Sequence, residues 1–213
     1  MAQFNQGVNG AFSGKVGSVI GSSWRDIDYM RGLPKKTSKE PTGKQLAVRA
    51  RFTLLSQFLL LVKGAVDRGY SKQYSGRATA YNLAIRANQV ALTGTDLDPQ
   101  LDYSKIILSK GLTLTKPFGC KLAAGLQGQV TVSWQMFSGA SADRLMDKAT
   151  IVLCCPEQKE AIVSMDDFVR QDEGADIEIP SNWSSTTIYG YLFMTSEDGT
   201  NSATAFAGSL PIL

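Results

Sequence analysis

The chain has 213 residues, 43% of them hydrophobic, and a net charge of +3, enough apolar mass for one large or two small folded units. It contains no histidine, which excludes Ser–His and Cys–His nucleophile pairs and His-bearing zinc sites. Its three cysteines, Cys120, Cys154 and Cys155, form an odd set with one adjacent pair, which predicts reduced, buried thiols rather than disulfides.

Residues 1–9 (MAQFNQGVN) are polar apart from Phe4 and Val8 and read as an extended arm. No basic-then-apolar leader is visible, so synthesis is expected in the cytoplasm, with a virion or released particle as an open destination. The longest apolar run, 58–62, falls far short of the roughly 20 residues of a membrane-spanning helix. Next comes GAFSGKVGSVIGSSWRDIDYMRGLP, residues 10–34, with Gly10, Gly14, Gly17 and Gly21 set among small and β-branched residues. Glycine loses more backbone entropy on folding than any other residue, so this spacing predicts a backbone or flat aromatic lying close against the segment. Residues 15–24 and 27–33 are predicted as two strands joined through Arg25-Asp26, and 34–41 as a charged, proline-bracketed linker.

Thr42-Gly43-Lys44-Gln45 matches a capping box and predicts a helix start. Val48, Phe52, Leu55, Leu59, Val62 and Val66 follow at alternating steps of four and three. Leu54, Phe58, Leu61 and Ala65 add a second stripe, so the apolar face is broad and expected to pack on several partners. Gly64 is expected to loosen the last turn and Gly69 to end it. A second helix is predicted over 78–92, making a helical hairpin closed by turn-rich residues 93–100.

From Tyr103 onward short β-rich runs alternate with turns: 103–109, 112–115, 120–125, 129–135, 149–155, 175–180, 187–195 and 202–208. Val130, Val132 and Trp134 alternate on one face. Residues 187–195 are apolar on both faces, as a central strand would be. Glu197-Asp198-Gly199-Thr200 reads as a hairpin turn. The predicted fold class is α+β: a Gly-rich N-terminal β-hairpin or arm and a helical hairpin (1–102), then an immunoglobulin- or fibronectin-like antiparallel β-sandwich (103–213).

The block Gly14-Lys15-Val16-Gly17-Ser18-Val19-Ile20-Gly21, with Trp24, Tyr29-Met30-Arg31 and Pro34, resembles the opening of a domain-of-unknown-function family widespread in Bacteroidota. The similarity continues through Thr42, Gln45, Arg49-x-Arg51-Phe52, Tyr103-Ser104-Lys105, Val132-Ser133-Trp134 and the closing Ser202, Phe206 and Gly208. It spans nearly the whole chain and implies no established activity, cofactor or catalytic residue. Residues 156–172 are the least family-like and are expected to carry this chain's own specificity.

Catalytic motifs fail on inspection. Around Gly14-Lys15 a P-loop would need glycine at Asn9 and Ser or Thr at Val16, and no G-x-S-x-G elbow occurs. Asp143, Asp147, Asp166, Asp167, Asp172 and Glu173 do not match an EF-hand and read as solvated loop charges. Cys155 has no partner base. Trp24, Tyr29 and Trp183 can stack on sugars or bases, but core or interface packing is the favoured reading. Residues 1–105 carry +8 and residues 106–213 carry −5, an asymmetry that suits head-to-tail attraction between copies. Arg25, Arg31, Lys35 and Lys36 flank Trp24 and Tyr29, yet the basic residues are otherwise scattered, so no nucleic-acid partner is expected.

The expected function is a non-enzymatic structural protein, a homo-oligomer or polymer (filament, tube or shell) without cofactor or metal. Its expected interface is Phe4, Val8, Phe12, Val16, Gly17, Ile20, Gly21, Trp24, Tyr29 and Arg31. The alternative is a β-sandwich module that binds a protein or glycan, and an enzyme ranks behind both.

Overall fold

The computed structural model describes residues 3–4, 10–24, 27–35, 39–73, 78–96, 98–111, 114–126, 128–136 and 142–212, with the side chains of Gln3, Phe4, Ala142 and Asp143 not described. The chain divides into two compact units, Met1–Thr42 and Gly43–Leu213.

The first unit is an antiparallel sheet in the order β1-β2-β3-β4, formed by Gln3–Phe4, Phe12–Val16, Val19–Trp24 and Ile27–Gly32. The single strand expected over 15–24 is instead a hairpin, because Gly17-Ser18 turns the chain. Gly17 has φ +58°, which the first central position of a type II′ turn requires and other residues resist. Gly21 is where the expected close approach occurs. It is buried, and a β-carbon there would strike both the carbonyl and the ring of Phe12. Val8 and the Arg25-Asp26 junction lie outside the described residues.

The second unit begins with α1, Gly43–Leu61, directly after Thr42 as the capping pattern anticipates. The helix does not run on through Val66. It bends by 86° into α2, Lys63–Gly69, at Val62 (φ −104°, ψ 23°). Leu55 and Leu59 before the bend and Ala65, Val66 and Tyr70 after it belong to one core. A straight rod, rising 1.5 Å per residue, would carry the second group past that core. The outer end of the expected stripe is not buried either, since Val48 and Phe52 are exposed. No single described helix is long and apolar enough to cross a membrane.

Helix α3, Ala80–Ala87, is shorter than expected. Its N-cap Thr79 accepts from the Asn82 amide at 3.2 Å, and it tightens into a 3-10 turn over Asn88–Ala91. The turn-rich stretch that follows holds a small hairpin, β5 (Leu92–Gly94) with β6 (Pro99–Leu101). Residues 103–109, expected as a strand, form a 3-10 turn (Tyr103–Lys105) and then an irregular run. Side chains take the main-chain bonds a ladder would have used. Buried Asn88 accepts from Ile107 N at 2.7 Å and donates to Ile107 O at 2.8 Å, and Thr204 Oγ1 accepts from the Leu108 and Ser109 amides.

Two antiparallel sheets complete the unit. One has the order β10-β9-β12-β13 and the other β11-β8-β7. The strands are β7 (Phe118–Ala124), β8 (Gln129–Gln135), β9 (Lys148–Cys155), β10 (Glu160–Val169), β11 (Gly174–Glu178), β12 (Thr187–Thr195) and β13 (Ala205–Pro211). Val130, Val132 and Trp134 of β8 share one core with Ile151 and Leu153 of β9 and Ile188, Leu192 and Met194 of β12. The opposite face of β9 and β12, with Val152, Cys154, Tyr191 and Phe193, packs with Leu55, Leu59, Val66 and Ala84 of the helices. Strand β12 is therefore central and buried on both faces, as expected, and the adjacent Cys154 and Cys155 of β9 face different cores. The fold class is α+β.

Three strand expectations need correction. The strand predicted over 202–208 lies at β13, because Ser202 instead accepts from Met194 N through its Oγ and bridges Leu114. Leu114 makes only that isolated bridge, and Leu112 and Thr113 lie outside the described residues. Strand β10 was not predicted at all. Its ladder is interrupted between Met165 and Phe168 by an irregularity with Asp166 at φ +74°, which hides the alternation.

Candidate functional site

The expected interface residues fall on the N-terminal sheet, and the strand register decides what each can do. Lys15 opposes Ile20, Val16 opposes Val19, Ile20 opposes Arg31, Gly21 opposes Met30 and Ser22 opposes Tyr29. Phe12 and Gly21 are brought together, whereas Val16, Trp24, Tyr29 and Arg31 are exposed. Phe4 pairs with Phe12 through the backbone. Gly10, Ala11, Phe12, Asp28, Tyr29 and Met30 line a shallow hollow of about 250 Å³. Met30, which is not among the expected interface residues, is 70% exposed, more than Trp24 or Tyr29. Its signal was available: Met30 sits between Tyr29 and Arg31 on the same strand.

Strand β4 is the edge of this sheet. Leu33 N donates to Ser18 O at 2.8 Å, so Leu33, Arg31, Tyr29 and Ile27 turn their main-chain groups toward β3. Asp28, Met30 and Gly32 therefore turn theirs outward, and no hydrogen bond reaches them among the described residues.

The second unit carries an apolar groove of about 410 Å³, lined by Leu54, Phe58 and Leu61 of α1 with Leu101, Tyr103 and Lys159. Tyr103 is clamped there, stacked on Tyr189 at 4.4 Å and edge-on to Phe58 at 5.7 Å. The sequence reading placed Leu54, Phe58 and Leu61 in a core stripe and did not anticipate an opening beside them.

The acids weighed as solvated loop charges are engaged by protein groups. Asp147 is a correction. It is buried, and its carboxylate meets Arg170 at 3.1 Å, while the same guanidinium donates to Thr115 O at 3.0 Å. Asp166 meets Arg68 at 2.6 Å and Lys148 at 3.3 Å, and hydrogen bonding to Arg68 holds its carboxyl below the usual range. Asp167 accepts from Ser164, Asp172 from Val169 N and Glu173 from Met136 N. The Asp143 side chain lies outside the described residues. Among the described residues no three His, Cys, Asp or Glu side chains converge on a metal-sized point.

Trp183 is fully buried and donates to Glu160 at 2.7 Å, so it presents no ring to a ligand. Burial pushes the Cys154 thiol up to about 12 and that of half-buried Cys120 up to about 11, the reverse of nucleophile activation. Arg31 and Lys35 are exposed, and Arg25 and Lys36 lie outside the described residues.

A family pattern matches residues 11–207, nearly the whole chain. The chain belongs to DUF6266, a family of unknown function. No curated protein matches it. The DUF6266 match takes in β2 to β4, the groove and both large sheets up to the first residues of β13, so the family assignment leaves function to be argued from geometry.

Proposed function

We propose that this DUF6266 protein is a non-enzymatic structural subunit that assembles with copies of itself through its N-terminal sheet. One observation carries the reading. Of the described residues in β2, β3 and β4, only Gly21 is buried, while Val16, Trp24, Tyr29 and Met30 are exposed. A sheet this small holds its shape in water only when one face is covered, so its apolar residues call for a partner. The Gly14–Gly21 block, read as the family's signature, supplies the tight turn and the ring-covered glycine that make such a sheet possible.

The order of the two large sheets supports a fibronectin-like sandwich for residues 103–213. In chain order the seven strands fall as first, second and fifth in one sheet and third, fourth, sixth and seventh in the other, over a shared core.

Light scattering after size exclusion, with electron microscopy, tests the proposal. The full chain forms oligomers that grow with concentration, and a chain lacking residues 1–42 is a folded monomer. Equal assembly by both would overturn it. The groove beside α1 favours the second reading, a module that takes apolar side chains of a protein partner between Leu54, Leu61 and Leu101. A full chain that stays monomeric and loses capture of its partner on Leu61→Glu substitution would support that reading.

A further inference from the structure

We infer that the self-contact is an antiparallel pairing of β4 with β4 of a second copy, centred on Met30. This inference rests on the assembly reading above and specifies its geometry. Three observations lead to it. The outer edge of β4 is open, six residues long, and contains neither proline nor a bulge, two of the features that blunt an edge. Its outward main-chain groups belong to Asp28, Met30 and Gly32, which are evenly spaced about Met30. The residues from Asp28 to Gly32 are exposed, and Met30 is more exposed than Tyr29 beside it.

The register follows from symmetry. Two copies that extend one sheet are related by a two-fold axis perpendicular to it, which keeps each face on its own side. Residues that oppose each other must point to the same side, so one residue must oppose its own copy. Centring on Met30 sets Met30 against Met30, and Asp28 against Gly32 twice. Every outward N–H and C=O of the strand is then used, in six hydrogen bonds. Moving the centre by one residue to Tyr29 or Arg31 leaves one of the three outward residues without a partner from the strand.

The side chains suit the same register. Tyr29 of each copy opposes Arg31 of the other, at the positions where cross-strand side chains approach most closely. A guanidinium over a phenol ring is a favourable cation–π pair, formed here twice. Neither Asp28 nor Arg31 is in an ion pair among the described residues, so no competing contact has to be broken.

Cysteine cross-linking in the full chain tests this, with Cys120→Ser removing the half-buried thiol. At the centre of the pairing the two α-carbons stand about 5.5 Å apart, within disulfide range. Met30→Cys therefore becomes a disulfide-linked dimer under mild oxidation. Asp28→Cys, whose copies stand roughly 13 Å apart along the strand, does not. Met30→Pro, which removes the central outward N–H, lowers the assembled fraction at least tenfold. A full chain that assembles while Met30→Cys stays unlinked, or links no better than Asp28→Cys, overturns the strand pairing and leaves the assembly reading standing. A full chain that remains monomeric overturns both.

Discussion

Replacing Arg170 by Met tests what holds the second unit around its β8 side. The Arg170 and Asp147 side chains are 4% and 1% exposed, joined by contacts of 3.1 and 3.2 Å, and Arg170 also donates to Thr115 O. Met fills much of the same volume but leaves the carboxylate of Asp147 buried without its cation. Breaking one side of a buried pair costs about 3–5 kcal/mol. Against a total stability of roughly 5–15 kcal/mol, that is about a fifth of the stability or more. At about 2–4 °C per kcal/mol for a chain of this size, Tm falls by roughly 6–20 °C. Urea unfolding followed by tryptophan fluorescence is the assay. Trp134 donates to the Arg170 carbonyl at 2.9 Å and reports directly on this turn. Asp147→Leu combined with Arg170→Met removes both charges and recovers most of the loss, ending within about 1–2 kcal/mol of the parent. A single substitution costing under about 1 kcal/mol, or a double costing the sum of the two singles, would refute the account.

Three further outcomes are expected. Gly21→Val drives a side chain into the Phe12 ring, so assembly is lost; a variant that assembles as the parent chain does would contradict the close approach at Gly21. At neutral pH a thiol reagent modifies at most one cysteine of the native chain, half-buried Cys120, and all three in urea; fast native reaction of Cys154 or Cys155 would contradict their burial. Side-chain hydrogen bonds hold the carboxyls of Asp102, Glu160, Asp166 and Asp198 below their usual values, so the unfolded chain binds more protons in acid. Stability is therefore level from about pH 5 to 8 and falls once pH drops below about 4, which a urea series at stepped pH would show.

Much of the second unit was legible because its signals were local. Strict alternation in Gln129–Gln135 and two-sided apolarity in Thr187–Thr195 gave those strands with correct bounds. Elsewhere distant partners decided. The bend at Val62 answers to a core assembled from three helices and a sheet, and Gly64, two residues on, signals only a loosened turn. Residues 103–109 have strand-like composition, but Asn88 and Thr204 take their main-chain bonds. In the first unit the glycines were read correctly as a sign of close approach at Gly21. At Gly17 the same residue type makes a turn, and one residue type serving both purposes turned a hairpin into a single predicted strand. The groove beside α1 was invisible because helical periodicity locates a stripe without saying how fully its neighbours cover it.

The energetics of β4 pairing limit the assembly it can build alone. Six main-chain hydrogen bonds, each worth a net 0.5–1.5 kcal/mol, contribute about 3–9 kcal/mol. Two Tyr29–Arg31 contacts add roughly 1–2 kcal/mol. Association costs about 4–15 kcal/mol in lost translation and rotation, so the contact is weak by itself and saturates only at high protein concentration. A two-fold contact also closes on itself, so it ends at a dimer. A filament, tube or shell then requires a second, different contact between dimers, and each dimer brings two copies of everything outside β4 to make it. Growth should accordingly proceed in two stages: a dimer abolished by Met30→Pro, then larger species that never form without it. Species larger than a dimer that persist in Met30→Pro would show that assembly does not depend on the β4 contact.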